Sequence, residues 1–239
     1  MKKVKRFAGL FMMLLAATFA KAQDESKLET SISADVVNQY IWRGQDLGGT
    51  SFQPTLGIGC GGFSLSAWGS TGLTNPDDTK EFDITASYTI GGLTVGITDY
   101  WFNSGLDERN RYFRYNAHST NHVFEANIGY DFKVLNVQWY TNFTGNDGAN
   151  KSGKRAYSSY AEVNVPFAFG GAEWTATAGC VPYATSFYGT DEFAIINLAL
   201  KASKEIKITD SFSVPVFAGI AANPRTEKAY LTFGFTLQP

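Results

Sequence analysis

Apolar and polar side chains alternate with a period of two residues through most of the chain. Between residues 81 and 90, five polar side chains alternate with Phe82, Ile84, Ala86, Tyr88 and Ile90. Because successive side chains of a β-strand point to opposite faces, each such run predicts a strand with one apolar and one polar face. The pattern recurs about twelve times, mostly over about ten residues, the length of a tilted strand that crosses a bilayer. The predicted strands are 28–42, 52–60, 63–71, 81–90, 93–102, 122–132, 135–143, 156–167, 172–181, 193–203, 211–221 and 229–238.

The connections between the predicted strands alternate in length. Short ones at 61–62, 91–92, 133–134, 168–171 and 204–210 alternate with mostly longer, polar ones at 44–51, 72–80, 103–121, 144–155, 182–192 and 222–228. Tight turns on one side of a membrane and longer loops on the other are typical of outer-membrane barrels. A soluble β-sandwich or a lipocalin-like barrel is the alternative, but a sandwich gives no reason for connection lengths to alternate. The sequence therefore predicts an all-β fold, a transmembrane antiparallel up-and-down β-barrel of about 12 strands.

The first 22 residues are expected to be a cleaved signal peptide. Basic residues precede an apolar run at 7–20 that is too short for a typical spanning helix, and Ala20-Lys21-Ala22 offers a cleavage site. Residues 23–239 are then expected to form the barrel domain in the outer membrane. Loss of the five basic residues in the leader leaves 15 basic against 22 acidic residues, a formal net charge of −7. An acidic chain of this kind does not favour a nucleic-acid partner.

Prolines and one aspartate conflict with regular strands. Pro54, Pro166 and Pro215 fall inside predicted strands, although proline cannot donate a ladder hydrogen bond. Pro54 and Pro166 lie near strand ends, whereas Pro215 predicts a bulge or a wrong strand boundary. Asp99 falls in the apolar phase of its strand, which predicts either a bulge that turns it inward or a position beyond the hydrocarbon.

Three segments carry a resemblance to a known family. They are SISADVVNQYIWRGQDLGGTSFQPTLGIG at 31–59, EFDITASYTIGGLTVGITDYWF at 81–102 and YLTFGFTLQP at 230–239. In these segments the chain resembles the TorF-type porins of Gram-negative outer membranes, over nearly all of its length after residue 22. The most specific part is Tyr-x-Trp-Arg-Gly, at 40–44, followed by Phe-Gln-Pro at 52–54. The resemblance implies an outer-membrane β-barrel that acts in passive transport.

Two motifs raise the question of enzyme activity. GIGCGG at 57–62 fits the dinucleotide pattern G-x-G-x-x-G, but an alternating strand follows it instead of the helix that would cradle a pyrophosphate. His118, Ser119 and His122 suggest a lipid-acting barrel hydrolase as a further alternative, but no orienting third group and no G-x-S-x-G motif accompany them. Two histidines also make a weak metal site, because zinc usually takes three or four protein ligands. We therefore expect no enzyme activity, no cofactor and no metal.

Cys60 and Cys180 are expected at opposite ends of the barrel. Disulfide-linked residues have Cα atoms within about 7 Å, whereas strands of about ten residues separate the two ends by about 25 Å. The sequence therefore predicts two lipid-facing cysteines that form no disulfide.

Charged residues in the polar phase are candidates for the wall of the lumen. Because acidic residues predominate among them, an open lumen would favour cations. Alternatively, the carboxylates pair with inward bases or loop arginines and plug a barrel whose interior is narrow. The predicted function is an outer-membrane, porin-like channel for passive diffusion of small hydrophilic solutes or ions. The alternative is a closed structural barrel that binds lipopolysaccharide or a partner through its loops. The candidate pore-lining residues are Asp35, Arg43, Glu81, Asp83, Glu125, Glu162, Glu173 and Lys201.

The longest predicted loop, 103–121, carries Arg109, Arg111 and Arg114 among aromatic residues. Two interpretations stay open for it. The loop folds into the lumen as a constriction, or it lies against lipopolysaccharide, whose phosphates suit the guanidinium fork of arginine. The expected partners are outer-membrane lipid and lipopolysaccharide, small hydrophilic solutes, and the machinery that inserts barrels.

The YIWRG segment at 40–44 ends the first predicted strand. Tyr40 and Trp42 take the outward phase, which predicts an aromatic girdle at the membrane surface. Arg43 takes the opposite phase with Asp35, so it is predicted to pair with inward carboxylates at the barrel mouth. Its replacement by alanine is expected to shift ion selectivity towards cations.

Overall fold

The alternating segments form strands that close on themselves. A computed structural model of the chain describes residues 28–75, 77–103, 111–116, 119–210 and 212–239. The described residues form strands and no helix, and so include no helix that is long and apolar enough to cross a membrane. The strands are β1 Glu29–Val37, β2 Tyr40–Trp42, β3 Gln45–Gly48, β4 Ser51–Cys60, β5 Phe63–Gly72, β6 Lys80–Ile90, β7 Leu93–Asn103, β8 His122–Asp131, β9 Asn136–Gly145, β10 Ser159–Phe169, β11 Ala172–Val181, β12 Ala194–Lys207, β13 Ser213–Asn223 and β14 Lys228–Leu237.

Twelve of these strands form a closed antiparallel barrel, and β2 and β3 form a separate hairpin. Each barrel strand pairs with the barrel strands before and after it in the chain, and β1 closes the ring by pairing with β14 as well as β4. The predicted all-β, up-and-down barrel of twelve strands is confirmed. The interior is the lumen, and the opposite side of the wall is called the outer face.

The connections give the barrel two different ends. At the turn end they are short and lie at 61–62, 91–92, 132–135, 170–171 and 208–212. At the loop end they are mostly longer and lie at 38–50, 73–79, 104–121, 146–158, 182–193 and 224–227. The turn at Gly61 and Gly62 shows why two residues suffice, since both have the positive φ that a primed hairpin turn requires.

Large apolar side chains cover the outer face. Ile220 and Leu231, which are paired across β13 and β14, are 59% and 61% exposed. Soluble proteins rarely expose a continuous apolar surface of this extent. Because the phase alternates, the polar side chains of the same strands line the lumen. Other exposed members of this surface include Ile32, Leu56, Val95, Ile128, Val163, Leu198 and Phe233.

Each strand proline lies where the ladder is incomplete. Pro166 and Pro215 lie in stretches with one paired neighbour, because β9 pairs with β10 only as far as Asn164 and β14 pairs with β13 only from Val216. The ladder between β4 and β5 omits Pro54. The bulge that Pro215 predicted is absent, since β12 and β13 pair in regular register through it. Prolines are tolerated in such stretches because no ladder donor is required of them.

Asp99 stays on the outer face, so the bulge predicted for it is wrong. The strands β6, β7 and β8 pair without a register shift at this residue. Its Oδ1 lies 2.7 Å from Nδ1 of His122, whose side chain is fully buried. Nε2 of the same ring lies 2.6 Å from the carbonyl oxygen of Tyr112. The histidine therefore both partners the carboxylate and holds a loop residue against the barrel.

The first predicted strand, 28–42, is wrong beyond Val37. The strand β1 ends there, and the backbone N–H of Asn38 donates to the carbonyl oxygen of Phe233 on β14 at 3.0 Å. The chain then reverses as the hairpin β2–β3, in which Trp42 pairs with Gln45. We call residues 40–48 the hairpin plug, because their contacts place them inside the ring of strands.

Candidate functional site: a hairpin plug in the barrel

The hairpin plug turns at Arg43 and Gly44. Both residues have positive φ, 50° and 74°, which gives the primed two-residue turn that matches the twist of hairpin strands. A Cβ atom at position 44 would overlap the carbonyl oxygen of Ile196 on β12, so only glycine fits. The side-chain amide of Asn223 on β13 donates to the Gly44 carbonyl oxygen at 3.0 Å. The turn is therefore seated against β12 and β13.

Arg43 reaches across the lumen to Glu125 on β8. Its Nη1 donates to Oε2 at 2.6 Å and its Nη2 donates to Oε1 at 2.9 Å, a bidentate ion pair. The two side chains are 8% and 2% exposed. The Tyr100 hydroxyl donates to Oε1 of Glu125 at 2.9 Å, and Nη1 of Arg43 also donates to the Tyr188 hydroxyl oxygen at 2.7 Å. One buried ion pair thus joins the plug, the wall and the loop 182–193.

Aromatic rings surround the guanidinium group. Its Cζ lies 3.9 Å from the ring centroid of Tyr140, 4.4 Å from that of Trp42 and 4.9 Å from that of Tyr160. Desolvated cation–π contacts of this kind contribute about 2 kcal/mol. Tyr188 stacks on Trp42, with the ring centroids 6.1 Å apart. Burial raises the pKa of the Tyr188 hydroxyl above its ordinary value, although the neighbouring Arg43 opposes this shift. The hydroxyl therefore stays neutral at physiological pH.

A second contact ties the plug to β6. Tyr40 is 7% exposed, and its hydroxyl donates to Oε2 of Glu81 at 2.9 Å. Glu81 also hydrogen-bonds to Asp83, two residues further along the same face. Asp83 is equally buried, and its Oδ1 has no hydrogen-bond partner among the described residues. The prediction that Tyr40 and Trp42 face lipid is wrong, because the chain reverses after β1 and carries both rings into the lumen.

The lumen stays solvated towards the turn end. A cavity of about 280 Å³ there is lined by Asp35, Glu173 and Lys201, among other residues. The Thr236 hydroxyl donates to Asp35 at 2.6 Å, and Nζ of Lys201 lies 4.2 Å from the ring centroid of Phe217. The predicted pore-lining residues thus fall into three sets. Arg43, Glu81 and Glu125 take part in the hydrogen bonds that hold the plug, and Asp83 is buried beside Glu81. Asp35, Glu173 and Lys201 line the solvated cavity, and Glu162 on β10 accepts a hydrogen bond from Asn164 at 2.9 Å.

The described part of the longest loop lies on the outer face. The ring centroid of Tyr112 is 5.3 Å from that of Trp101, which points outward from β7. Arg111 is exposed beside it, and Nε of Arg114 donates to a neighbouring serine hydroxyl at 3.0 Å. Arg109 lies outside the described residues. Residues 111–116 therefore do not enter the lumen, whereas the hairpin plug does.

His122 has both ring nitrogens engaged, by Asp99 and by the Tyr112 carbonyl oxygen. A general base needs a nitrogen that can accept a proton from a substrate, so this arrangement does not provide one. His118 lies outside the described residues. Within the parts of the chain that the structure describes, no group of three or more His, Cys, Asp or Glu side chains could hold a metal ion.

The two cysteines lie at opposite ends of the barrel. Cys60 ends β4 at the turn end, whereas Cys180 lies next to the last residue of β11 at the loop end. No disulfide joins them, as predicted.

The tyrosines that surround the Arg43–Glu125 ion pair were not among the predicted site residues. Tyr100, Tyr140 and Tyr160 all take the polar phase of their strands, which places an aromatic ring in the lumen. A buried tyrosine hydroxyl usually has a hydrogen-bond partner. Tyrosines in the polar phase could therefore have indicated a hydrogen-bonded group inside the lumen. Tyr188 lies in a loop, where no periodicity identifies it.

No protein-family model and no curated protein matches the chain. The barrel and its plug are therefore the basis for a functional proposal.

Proposed function

We propose that the protein is an outer-membrane β-barrel channel, exported by the signal peptide at 1–22. In this proposal small hydrophilic solutes or ions pass when the hairpin plug leaves the lumen. The observation that carries the proposal is the division of the lumen into a solvated, charged cavity at the turn end and a polar plug at the loop end. The apolar outer face supports insertion into a bilayer. Membership of the TorF family is part of the same proposal and rests on the Tyr-x-Trp-Arg-Gly element at 40–44.

The chemistry of the plug supports its release. A buried ion pair is often no more stabilising than apolar side chains of similar volume, because both charges lose their hydration. A barrel that is closed permanently can be filled by its own wall side chains, as small barrels are. Here a separate hairpin fills the loop end and is held by Arg43 on Glu125 and by Tyr40 on Glu81. Water can replace each of these contacts when the hairpin moves out.

A closed structural barrel is the second candidate. It is favoured by the way the hairpin plug fills the loop end with buried contacts. Near the loop end, Phe113 is 87% exposed and Arg111 is exposed beside the apolar outer face. An exposed ring next to an arginine suits the boundary between acyl chains and phosphates. Under this proposal the loop binds lipopolysaccharide and the lumen never conducts.

Planar bilayer recordings test the channel proposal. Wild-type protein is compared with a variant in which residues 39–49 are replaced by a short Gly/Ser linker. We expect brief openings from the wild type and a steady conductance from the variant, because the cavity at the turn end then connects with the mouth. Shortening the exposed loop tip 150–154 is the matched control and is expected to leave the recordings unchanged. A linker variant that is folded by circular dichroism but never conducts would favour the structural barrel.

A further inference from the structure

Two carboxyl groups inside the loop end have no basic residue bonded to them within the ranges that the structure describes. Glu81 and Asp83 are 6% and 7% exposed, and neither forms an ion pair among the described residues. Arg43 is the cation of the hairpin plug, and its guanidinium group is already bonded to Glu125. The two carboxyl groups are therefore buried together without a counter-charge of their own.

Glu81 and Asp83 are buried next to each other on the same face of β6, and a hydrogen bond between their carboxyl groups requires a proton on one of them. Ionised carboxylates only accept hydrogen bonds, and two carboxylates in contact away from water cannot both ionise without strong repulsion. Oδ1 of Asp83 has no hydrogen-bond partner in the described part of the chain, whereas Glu81 accepts from the Tyr40 hydroxyl. An unpartnered buried oxygen is less unfavourable on a neutral group than on a charged one. The proton therefore lies on Asp83, which donates to the Glu81 carboxylate.

We propose that Glu81 and Asp83 share one proton and that this proton makes closure of the hairpin plug depend on pH. The inference rests on the proposed function and adds regulation to it. Tyr40 is the link, because its hydroxyl bonds to Glu81 while its backbone belongs to the plug. Loss of the proton places two negative charges near Tyr40, in the first strand of the plug.

Among the described residues, the surroundings provide one neutral donor to Asp83, the backbone N–H of Trp101, and no basic group that could replace the proton. Four groups interact electrostatically with the carboxyl pair. They are Tyr40 and Arg43 of the plug, and Tyr100 and the outward-facing Asp99 of β7. The paired positions on β5 are Ser70 and Trp68, which do not titrate in this range. Arg43 alone among these groups is positive, and it is committed to Glu125. A deprotonated pair would therefore gain no new partner while the plug is closed.

The direction of the pH effect follows from counting protons in the two states. The closed state holds one proton on the pair, whereas in the open state both carboxyl groups are solvated and ionise near pH 4, roughly their ordinary range. The closed state thus binds one more proton than the open state at neutral pH. Raising the pH therefore favours opening, by up to about tenfold in the closed-to-open ratio per pH unit.

The experiment follows the hairpin and the conductance separately. A fluorophore that responds to its environment is attached to Asp46→Cys, an exposed position of β3, in a Cys60→Ser/Cys180→Ser background. Emission and open probability are recorded between about pH 5 and about pH 9. We expect release of the hairpin and opening to rise together with pH. Asp83→Asn keeps a donor to Glu81 without a titrating proton, so this variant is expected to stay closed at every pH.

Control variants keep the outcomes distinguishable. Asp210→Asn removes an exposed carboxylate at the turn end and is expected to retain the wild-type pH profile. Glu81→Gln tests the same pair if Asp83→Asn does not fold. An Asp83→Asn protein with the pH dependence of the wild type would overturn the inference. Release of the hairpin without conductance at any pH would uphold the proton-sharing pair and reject the channel. If the wild-type fluorophore signal does not change with pH but the 39–49 linker variant conducts, the channel is upheld and the proton-sharing pair is rejected.

Discussion

Replacement of Arg43 by alanine is expected to unlock the hairpin plug. The change leaves the Glu125 carboxylate, which is 2% exposed, without its cation. Removing one partner of a buried ion pair costs about 3–5 kcal/mol, because the remaining charge is neither hydrated nor paired. In the proposed open state Glu125 would be hydrated, so the loss falls on the closed state. At about 1.4 kcal/mol for each factor of ten, the closed-to-open ratio is expected to fall roughly a hundred- to several-thousand-fold.

Single-channel recording measures this ratio directly, and the melting temperature in detergent shows that the barrel remains folded. Arg225→Ala is the matched control, because the Arg225–Asp191 pair has a similar distance, 2.7 Å, but side chains that are 44% and 65% exposed. Exposed pairs contribute about 0–1 kcal/mol, so this control is expected to behave as the wild type. Arg43→Lys keeps the charge and loses the bidentate fork, so its effect is expected to be smaller. An Arg43→Ala protein that opens no more often than the Arg225→Ala protein would refute the role of the buried pair.

Three further replacements or measurements test other parts of the structure. Gly44→Ala is expected to raise the open probability as the arginine replacement does, because its Cβ would overlap β12 and its φ of 74° disfavours alanine; unchanged recordings would show that the turn is not seated there. His122→Ala is expected to lower the free energy of unfolding by about 1–3 kcal/mol by leaving Asp99 without its hydrogen bond, and to speed tryptic cleavage in 111–116. His122→Gln keeps a donor and should show a smaller loss, and equal cleavage in all three proteins would contradict the anchoring role. Titration of the denatured protein is expected to find two thiols, at Cys60 and Cys180, and fewer would indicate a disulfide.

The period of two, together with the alternation of connection lengths, was sufficient to predict the barrel. A strand with one apolar and one polar face needs different environments on its two sides, and a closed barrel in lipid supplies both without a free edge. The alternation of short and long connections predicted a turn end and a loop end, and the structure has the same alternation. The phase of the apolar–polar alternation also predicted that Glu81, Asp83 and Glu125 face the lumen, and the structure has them there. These results depend only on local patterns that repeat along the chain.

The hairpin plug left no comparable signal. Asn38, Tyr40 and Trp42 continue the phase of β1, so the alternation extends past the point where the chain leaves the wall. The turn at Arg43 and Gly44 lacks the Asn-Gly or Asp-Gly pair that usually identifies primed turns. Its partner Glu125 lies 82 residues away in the chain, and no local pattern encodes a contact of that range. The sequence could therefore indicate that Arg43 meets an inward carboxylate, but not that a hairpin carries it there.

If the protein is the proposed channel, opening is expected to change the charge of the mouth as well as its width. Arg43 belongs to the hairpin plug, so it leaves the lumen with the plug, whereas Glu81, Asp83 and Glu125 stay on the wall strands β6 and β8. The open mouth then carries three carboxyl groups without the cation that neutralised one of them. A ring of carboxylates favours cations through the local potential. Glu81 and Glu125 would thus hold the plug when the barrel is closed, and all three carboxyl groups would favour cations when it is open. The reversal potential of the 39–49 linker variant in a salt gradient is expected to lie on the cation side, and anion selectivity in that variant would contradict this account.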